Sequence, residues 1–271
     1  MRVATPMLRG RVALVYGGAA AMIADELTSD ALTASFRLIQ RRRGHRFSVD
    51  DLATAWEAVH AAPDADSFLD LGCGIGSVLL MVAWRLPTAR GFGIEAQDVS
   101  FELAKRNVHE NGLDGRVTLF HGDLRDVTRD WPHGSCAVVT GTPPYLPLGT
   151  ASPSPDPQRA AARIELRGGV EDYLAAAARV VSPDGVVVVC ADGRHPERVV
   201  RGAAAAGLVP ARRVDIVPRA GRSPLFSVWT CARASRGALD HTEVVMRDER
   251  GERTEASRAM RATFGLDPDV R

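Results

Sequence analysis

The 271-residue sequence predicts an α/β fold built on a mostly parallel sheet, and three observations carry that reading. Short apolar or β-branched runs alternate with helical stretches through the middle of the chain, the signature of βαβ units. A glycine-rich turn closes the first of those strands and opens a helix. Two β-rich runs, Val209–Val217 and Pro224–Cys231, then follow each other with no helix between them, as an antiparallel closing pair would.

Each element has its own local reason. Ser67–Leu71 is a short strand, and the apolar stretch from about Ile75 to Leu86 is the helix after the glycine turn. Gly91–Glu95 is the second strand; Val99–Val108 is helical, with Asn111-Gly112 as its C-terminal stop. Val117–Phe120 and Ala137–Thr140 are further strands. Pro147–Gly169, punctuated by Pro153, Pro155 and Pro157, reads as a long loop of the lid or binding-loop kind. A helix (Val170–Val181), a β-branched strand (Val186–Val189) and a helix (His195–Ala206) precede the closing pair, which completes a seven-stranded sheet. Beyond Arg233 the chain is polar, with a short strand at Val244–Met246 and a helix near Glu255–Phe264.

Ahead of this core, Leu32–Gln40 alternates apolar and polar positions, Arg41-Arg42-Arg43-Gly44 turns, and His45–Val49 runs back, which predicts a β-hairpin. Ser48 with Asp51 three residues on resembles a helix cap, and Leu52, Ala55, Trp56 and Val59 make one helix face. The expected organisation is an N-terminal extension (1–31), a hairpin-and-helix appendage (32–60), a main domain (61–235) and a polar tail (236–271).

Composition narrows the function classes. With 45% hydrophobic and 25% charged residues the chain is that of an ordinary globular protein, and no apolar run approaches the roughly 20 residues of a membrane span. Arg2, Arg9 and Arg11 precede an alanine-rich apolar stretch, but Gly17-Gly18 interrupts it, so a cytoplasmic location is expected rather than secretion. Cys73, Cys136, Cys190 and Cys231 show no paired metal spacing, so neither a metal site nor a disulfide framework is expected. Net charge is +1, which gives the whole molecule no strong field for a polyanion. Lys105 is the sole lysine; the arginine bias suits phosphate recognition, and a GC-rich genome explains it equally.

Asp70-Leu71-Gly72-Cys73-Gly74-Ile75-Gly76 carries the first chemistry. Glycines at a strand-to-helix turn let the backbone approach a ligand closely. A dinucleotide fingerprint would place its third glycine at 77, which is Ser77, so a pyrophosphate site is disfavoured. Glu95 ends the second strand, where a carboxylate can accept both ribose hydroxyls, and Asp123 follows the third, where an adenine edge would sit. This order resembles the Rossmann-like class I S-adenosylmethionine-dependent methyltransferases. The resemblance implies that cofactor, held by Asp70, Gly72, Gly74, Gly76, Glu95 and Asp123.

Thr142-Pro143-Pro144-Tyr145 follows the fourth strand and resembles the Asn/Asp-Pro-Pro-aromatic motif of methyltransferases acting on planar nitrogens. Such a nitrogen is a poor nucleophile because its lone pair is delocalised. In that family the Asn side chain and the first proline's carbonyl accept hydrogen bonds from the amino group, and the aromatic ring stacks on the planar acceptor. Stacking is worth ~1–3 kcal/mol. The likeness implies Thr142, Pro143 and Tyr145 as catalytic and Pro144 as substrate-binding. Threonine departs from the pattern: its hydroxyl accepts a hydrogen bond but is shorter than an amide and β-branched. Losing one hydrogen bond at developing charge costs roughly 2.7–4 kcal/mol, ~10²–10³ in rate.

A further likeness spans about residues 26–265. Glu26–Leu32, Leu38–Gln40 and Gly44–Asp50 are similar to the entry of the bacterial tRNA adenine-N6 methyltransferases, and Arg163-x-Glu165 resembles their Arg-His-Glu segment. Arg247–Thr254 resembles their acidic, Gly-containing end. The resemblance implies tRNA as partner and adenine N6 as acceptor. A small-molecule or protein-glutamine acceptor, or a silent cofactor- or RNA-binding homologue, stands as the alternative.

Arg37, Arg41, Arg42, Arg43 and Arg46 sit with no acid among residues 36–46, and Arg41, Arg42 and Arg43 are expected to hold RNA phosphates, with Arg163 beside the substrate. Arg194–Arg222 is a second basic stretch with Glu197 and Asp215 as its only acids. Both also read as solvated surface. His45 and His121 read as ordinary polar residues.

Overall fold

The computed structural model describes residues 27–150, 152–267 and 269; the signal-like stretch and most of the expected N-terminal extension lie outside them. One sheet organises the described residues. Its eight strands run β10-β8-β9-β7-β6-β3-β4-β5 across the molecule: β3 (Ser67–Leu71), β4 (Arg90–Glu95), β5 (Val117–His121), β6 (Cys136–Gly141), β7 (Val181–Asp192), β8 (Val209–Val217), β9 (Phe226–Ala232) and β10 (Asp240–Val245). Strands β3 to β7 are parallel, and β9 runs antiparallel between β7 and β8. The seven expected strands are all present. The eighth, β10, pairs in parallel with β8, so the stretch read as a polar tail supplies a sheet edge.

Alternation along the strands decides which helices cover which face. In β7, Val186, Val188 and Cys190 enter one core with the helices α1 (Val49–Ala61), α2 (Ser77–Arg85) and α3 (Asp98–Glu110). Val187, Val189 and Ala191 enter the other, with α4 (Leu124–Val127), α6 (Val170–Val180) and α7 (Pro196–Ala205). Every one of these six side chains is at most 4% exposed, which is why the strand reads as a continuous apolar run. The helix α1, expected in an appendage, packs on this sheet: Leu52, Ala55 and Val59 are buried in the same core as Val188.

The N-terminal hairpin exists with a different register from the one expected. Its strands are β1 (Leu27–Ala31) and β2 (Arg37–Arg41), paired antiparallel with Ser29 opposite Ile39. The turn falls at Leu32–Phe36, closed by Leu32 N–H to the Phe36 carbonyl (3.0 Å) and by Phe36 N–H to the Thr33 hydroxyl (2.9 Å). A threonine side chain thus supplies the turn signal that a glycine was expected to give. Gly44 instead makes room for a neighbouring segment, since a Cβ there would lie 2.2 Å from the Gln158 amide oxygen.

Gln158 belongs to the second departure. The stretch read as a structureless loop contains helix α5 (Pro157–Arg163), capped by Asp156, whose carboxylate accepts the Arg159 N–H (3.0 Å), with Pro157 in the first turn. Docking holds it in place. Gln158 accepts from the His45 backbone N–H (3.3 Å) and from Arg41 (3.2 Å), and Arg41 pairs with Asp156 at 2.9 Å. Further on, Glu165 and Glu171 grip Arg198 of α7, both at 2.6 Å.

Candidate active site

The carboxyl ends of β3, β4, β5 and β6 converge on two joined cavities, where ligands of open α/β sheets sit. In the turn after β3, Gly72, Gly74 and Gly76 all have positive φ (59°, 56° and 91°). A Cβ at Gly72 would lie 2.2 Å from the Tyr173 hydroxyl, whereas one at Gly74 would meet no atom within 4 Å and so would project into the cavity that this residue lines. The turn is a cradle that only glycine leaves open.

Two carboxylates stand behind it. Asp70 is buried and accepts the Thr140 hydroxyl at 2.7 Å; desolvation raises its pKa to about 7. Glu95 accepts the Gly74 N–H (2.8 Å) on one oxygen and the Gln97 N–H (2.7 Å) on the other. Burial pushes it above the ordinary range, and those backbone donors pull it back. Each Glu95 oxygen keeps a lone pair for a ligand hydroxyl. Asp123 differs: Arg125 forks onto both its oxygens (2.9 and 2.7 Å), holding its pKa low, yet the residue still lines the cavity.

The first cavity is bounded by these residues together with Ile94, Gly122, Leu124, Tyr173 and Arg167, and encloses about 910 Å³ of empty space, open solvent included. The glycine cradle, a carboxylate at the end of β4 and an apolar slot beside Asp123 fit S-adenosylmethionine. Arg167 comes from the segment after α5, and its charge lowers both Glu95 and Asp123. The sequence gives a weak hint of it: Arg159, Arg163 and Arg167 recur every fourth residue.

Thr142 and Pro144 line both cavities, whereas Pro143 and Tyr145 line the second alone. Among the described residues no protein group takes the Thr142 hydroxyl. Tyr145 is anchored at its tip, its hydroxyl reaching the Cys190 sulfur at 3.0 Å and the Asp50 carboxylate at 3.3 Å; its ring lies 17° from parallel to Phe226 with centroids 6.4 Å apart. The anchored Tyr145 ring is therefore fixed as one wall of the second cavity.

That second cavity is an open groove with an arginine rim. Arg42, Arg43, Arg46, Arg159, Arg163 and Arg194 line it, against Asp50, Asp51 and Asp192. Of the expected substrate-binding arginines, Arg42, Arg43 and Arg163 are brought to the groove. Arg41 is not: its ion pair with Asp156 keeps it 15% exposed on its side chain, docking α5. Arg159 and Asp51 line the groove without having been expected there, and Arg194 joins them from the second basic stretch. His45, read as an ordinary polar residue, lines both cavities, and burial holds its pKa below the usual histidine value. His121 faces Asp98 at 3.1 Å and lines neither. No group of residues suited to a metal ion occurs among the described residues, and no described helix is long and apolar enough to cross a membrane.

The chain is similar to known proteins in sequence and in fold. The family model described as a methyltransferase domain matches residues 68–151. A tRNA1(Val) (adenine(37)-N6)-methyltransferase of Porphyromonas gingivalis is 28% identical over 183 residues, 66% of this chain and 71% of that protein. One from Histophilus somni is 25% identical over 79% of this chain and 87% of its own length. A release factor glutamine methyltransferase of Caulobacter vibrioides is 34% identical, over 49% of this chain and 48% of that protein. Among solved structures, an Agrobacterium tumefaciens protein described as a predicted O-methyltransferase superposes with a TM-score of 0.62 at 19% identity, covering 80% of this chain and 98% of that one, a likeness of fold.

Proposed function

The chain is a class I S-adenosylmethionine-dependent methyltransferase, and from that premise we propose that its acceptor is the exocyclic N6 of adenine in a tRNA. The observation that carries this reading is the arginine-rimmed groove opening onto Thr142–Tyr145 and joined to the cofactor cavity. Six arginines from three separate stretches of chain face one groove in a protein whose net charge is only +1. A polyanion gains from that local concentration, and arginine forks match phosphate oxygens. The two tRNA-modifying relatives also match over most of their lengths.

The cofactor supplies an electrophilic methyl group on a sulfonium. The chain's own residues do the rest. Gly72 and Gly74 would leave room for the methionine part, Glu95 would accept the ribose hydroxyls, and Asp123 would meet the adenine edge. The acceptor amine donates to the Pro143 carbonyl beside the Thr142 hydroxyl, while the anchored Tyr145 ring stacks on the base. Fixing nucleophile and methyl carbon in line turns a bimolecular step into an effectively unimolecular one. The target adenine enters single-stranded or flipped, so an anticodon loop lowers the unstacking cost.

A protein-glutamine acceptor is the second reading, favoured by the 34% identity to the Caulobacter protein across about half of the chain. Offering methyl-labelled S-adenosylmethionine with either unmodified tRNA or a bacterial release factor separates the two. Label in RNA is expected; label confined to protein would transfer the assignment to glutamine.

A further inference from the structure

Five residues line both the cofactor cavity and the acceptor groove: His45, Asp51, Thr142, Pro144 and Ala162. Asp51 is the only acid among them. It is 6% exposed, and it is held rather than free to swing: one carboxylate oxygen accepts the Ser48 backbone N–H at 3.1 Å in the cap of α1. Helix capping needs only one of its oxygens. A carboxyl buried for that purpose alone would cost desolvation that an exposed Asp51 would avoid.

The neighbouring anomaly is Thr142, whose side chain is too short to reach as an asparagine amide would. We propose that Asp51 is the second hydrogen-bond acceptor for the acceptor nitrogen, taking over from α1 the contact that position 142 does not make. The proposal rests on amine methylation as the reaction. As the nitrogen's lone pair forms the new N–C bond, the S–C bond breaks and its electron pair stays on sulfur. The nitrogen then carries one proton too many, and that proton passes to the Asp51 carboxylate and on to solvent through the open groove. Burial beside Asp50 makes the carboxylate more basic than an exposed aspartate, which favours the transfer.

The test compares wild type, Asp51→Ala, Thr142→Asn and the double variant with in-vitro-transcribed tRNA and, in parallel, a bacterial release factor as acceptor probes. S-adenosylmethionine Kd and thermal unfolding are measured beside turnover. Asp51→Ala is expected to lose ~10²–10³ in kcat while cofactor Kd stays within about threefold. Adding Thr142→Asn to it is expected to recover tenfold or more. If the alanine variant fails to fold, Asp51→Asn serves: its single amide oxygen is taken by the Ser48 cap, its amino group offers the acceptor nitrogen only another donor, and turnover falls in the same way. Three results overturn the proposal: full turnover in a folded Asp51 variant, a loss wholly explained by weakened cofactor binding, or no recovery in the double variant. Wild type that labels neither probe overturns the amine-methylation reading, and this proposal with it; wild type that labels only the release factor overturns the tRNA assignment and leaves Asp51 to be judged on that acceptor.

Discussion

Glu95 and Gly74 are joined by a 2.8 Å hydrogen bond from the Gly74 N–H to the Glu95 carboxylate, so the acid proposed to bind the ribose also shapes the glycine turn that it faces. One residue at the end of β4 thereby fixes the cradle formed after β3. Replacing Glu95 by alanine removes both the ligand contact and the tie. A hydrogen bond to a charged group is worth about 1.5–3 kcal/mol, so S-adenosylmethionine affinity should fall by roughly 10–150-fold in calorimetry. Unchanged affinity would take Glu95 out of the site.

Tyr145 is held by Cys190 and Asp50 at its hydroxyl, with its ring along the groove wall. Tyr145→Ala should reduce methyl transfer by about 5–150-fold, the ~1–3 kcal/mol of base stacking, with cofactor affinity nearly intact. Tyr145→Phe keeps the ring and should retain most activity. Equal losses in the two variants would assign the effect to the hydroxyl instead.

The arginines divide by partner. Arg42, Arg159 and Arg163 line the groove, whereas Arg41 is engaged by Asp156 and Gln158. Alanine at Arg42, Arg159 and Arg163 together should weaken tRNA binding and lower the slope of log K against log salt by about 0.7 per lost phosphate contact on a single strand. Arg41→Ala should instead lower thermal stability by freeing α5. An unaltered slope in the triple variant would return those arginines to solvated surface.

Asp70 makes the ligand-free protein less stable as pH rises from acid toward neutral. Its carboxyl titrates near pH 7 when folded and near 3.8 when exposed, so between those values the native state holds a proton that the unfolded state lacks. Stability contributed by that difference is present at low pH and is lost as pH rises from about 4 to 7. Glu95 and Asp51, also raised by burial, act in the same direction; His45, lowered by burial, acts in the opposite one. Asp70→Asn isolates the one group: its stability gain over wild type should be larger at pH 8 than at pH 5 in denaturant titrations. A gain independent of pH would show that Asp70 does not titrate in this window.

The parts of the site legible in sequence are those set by short range. Asp70, Gly72, Gly74 and Glu95 lie at strand ends, and a strand-turn-helix pattern places them without knowledge of the rest. Thr142–Tyr145 was legible for the same reason. Arg159 and Arg167 were not, because they reach the cavities only once α5 docks through Arg41–Asp156 and Gln158–His45, contacts between segments more than a hundred residues apart. The local signs of α5 were present in Asp156-Pro157, a capping residue followed by proline at a helix start, but three nearby prolines made the stretch read as loop. The hairpin slipped in register because its turn is closed by Thr33 rather than by the glycine at 44. Asp51 was visible as a cap; its second position, at the junction of two cavities, depends on α1 packing against the sheet.

The most direct measurement is nucleoside mass spectrometry on unmodified tRNA after incubation with the protein and labelled S-adenosylmethionine, with boiled protein as control. Labelled N6-methyladenosine above that control, dependent on Tyr145 and Glu95, is expected. Cofactor bound by the protein with no labelled adenosine in the RNA would contradict it.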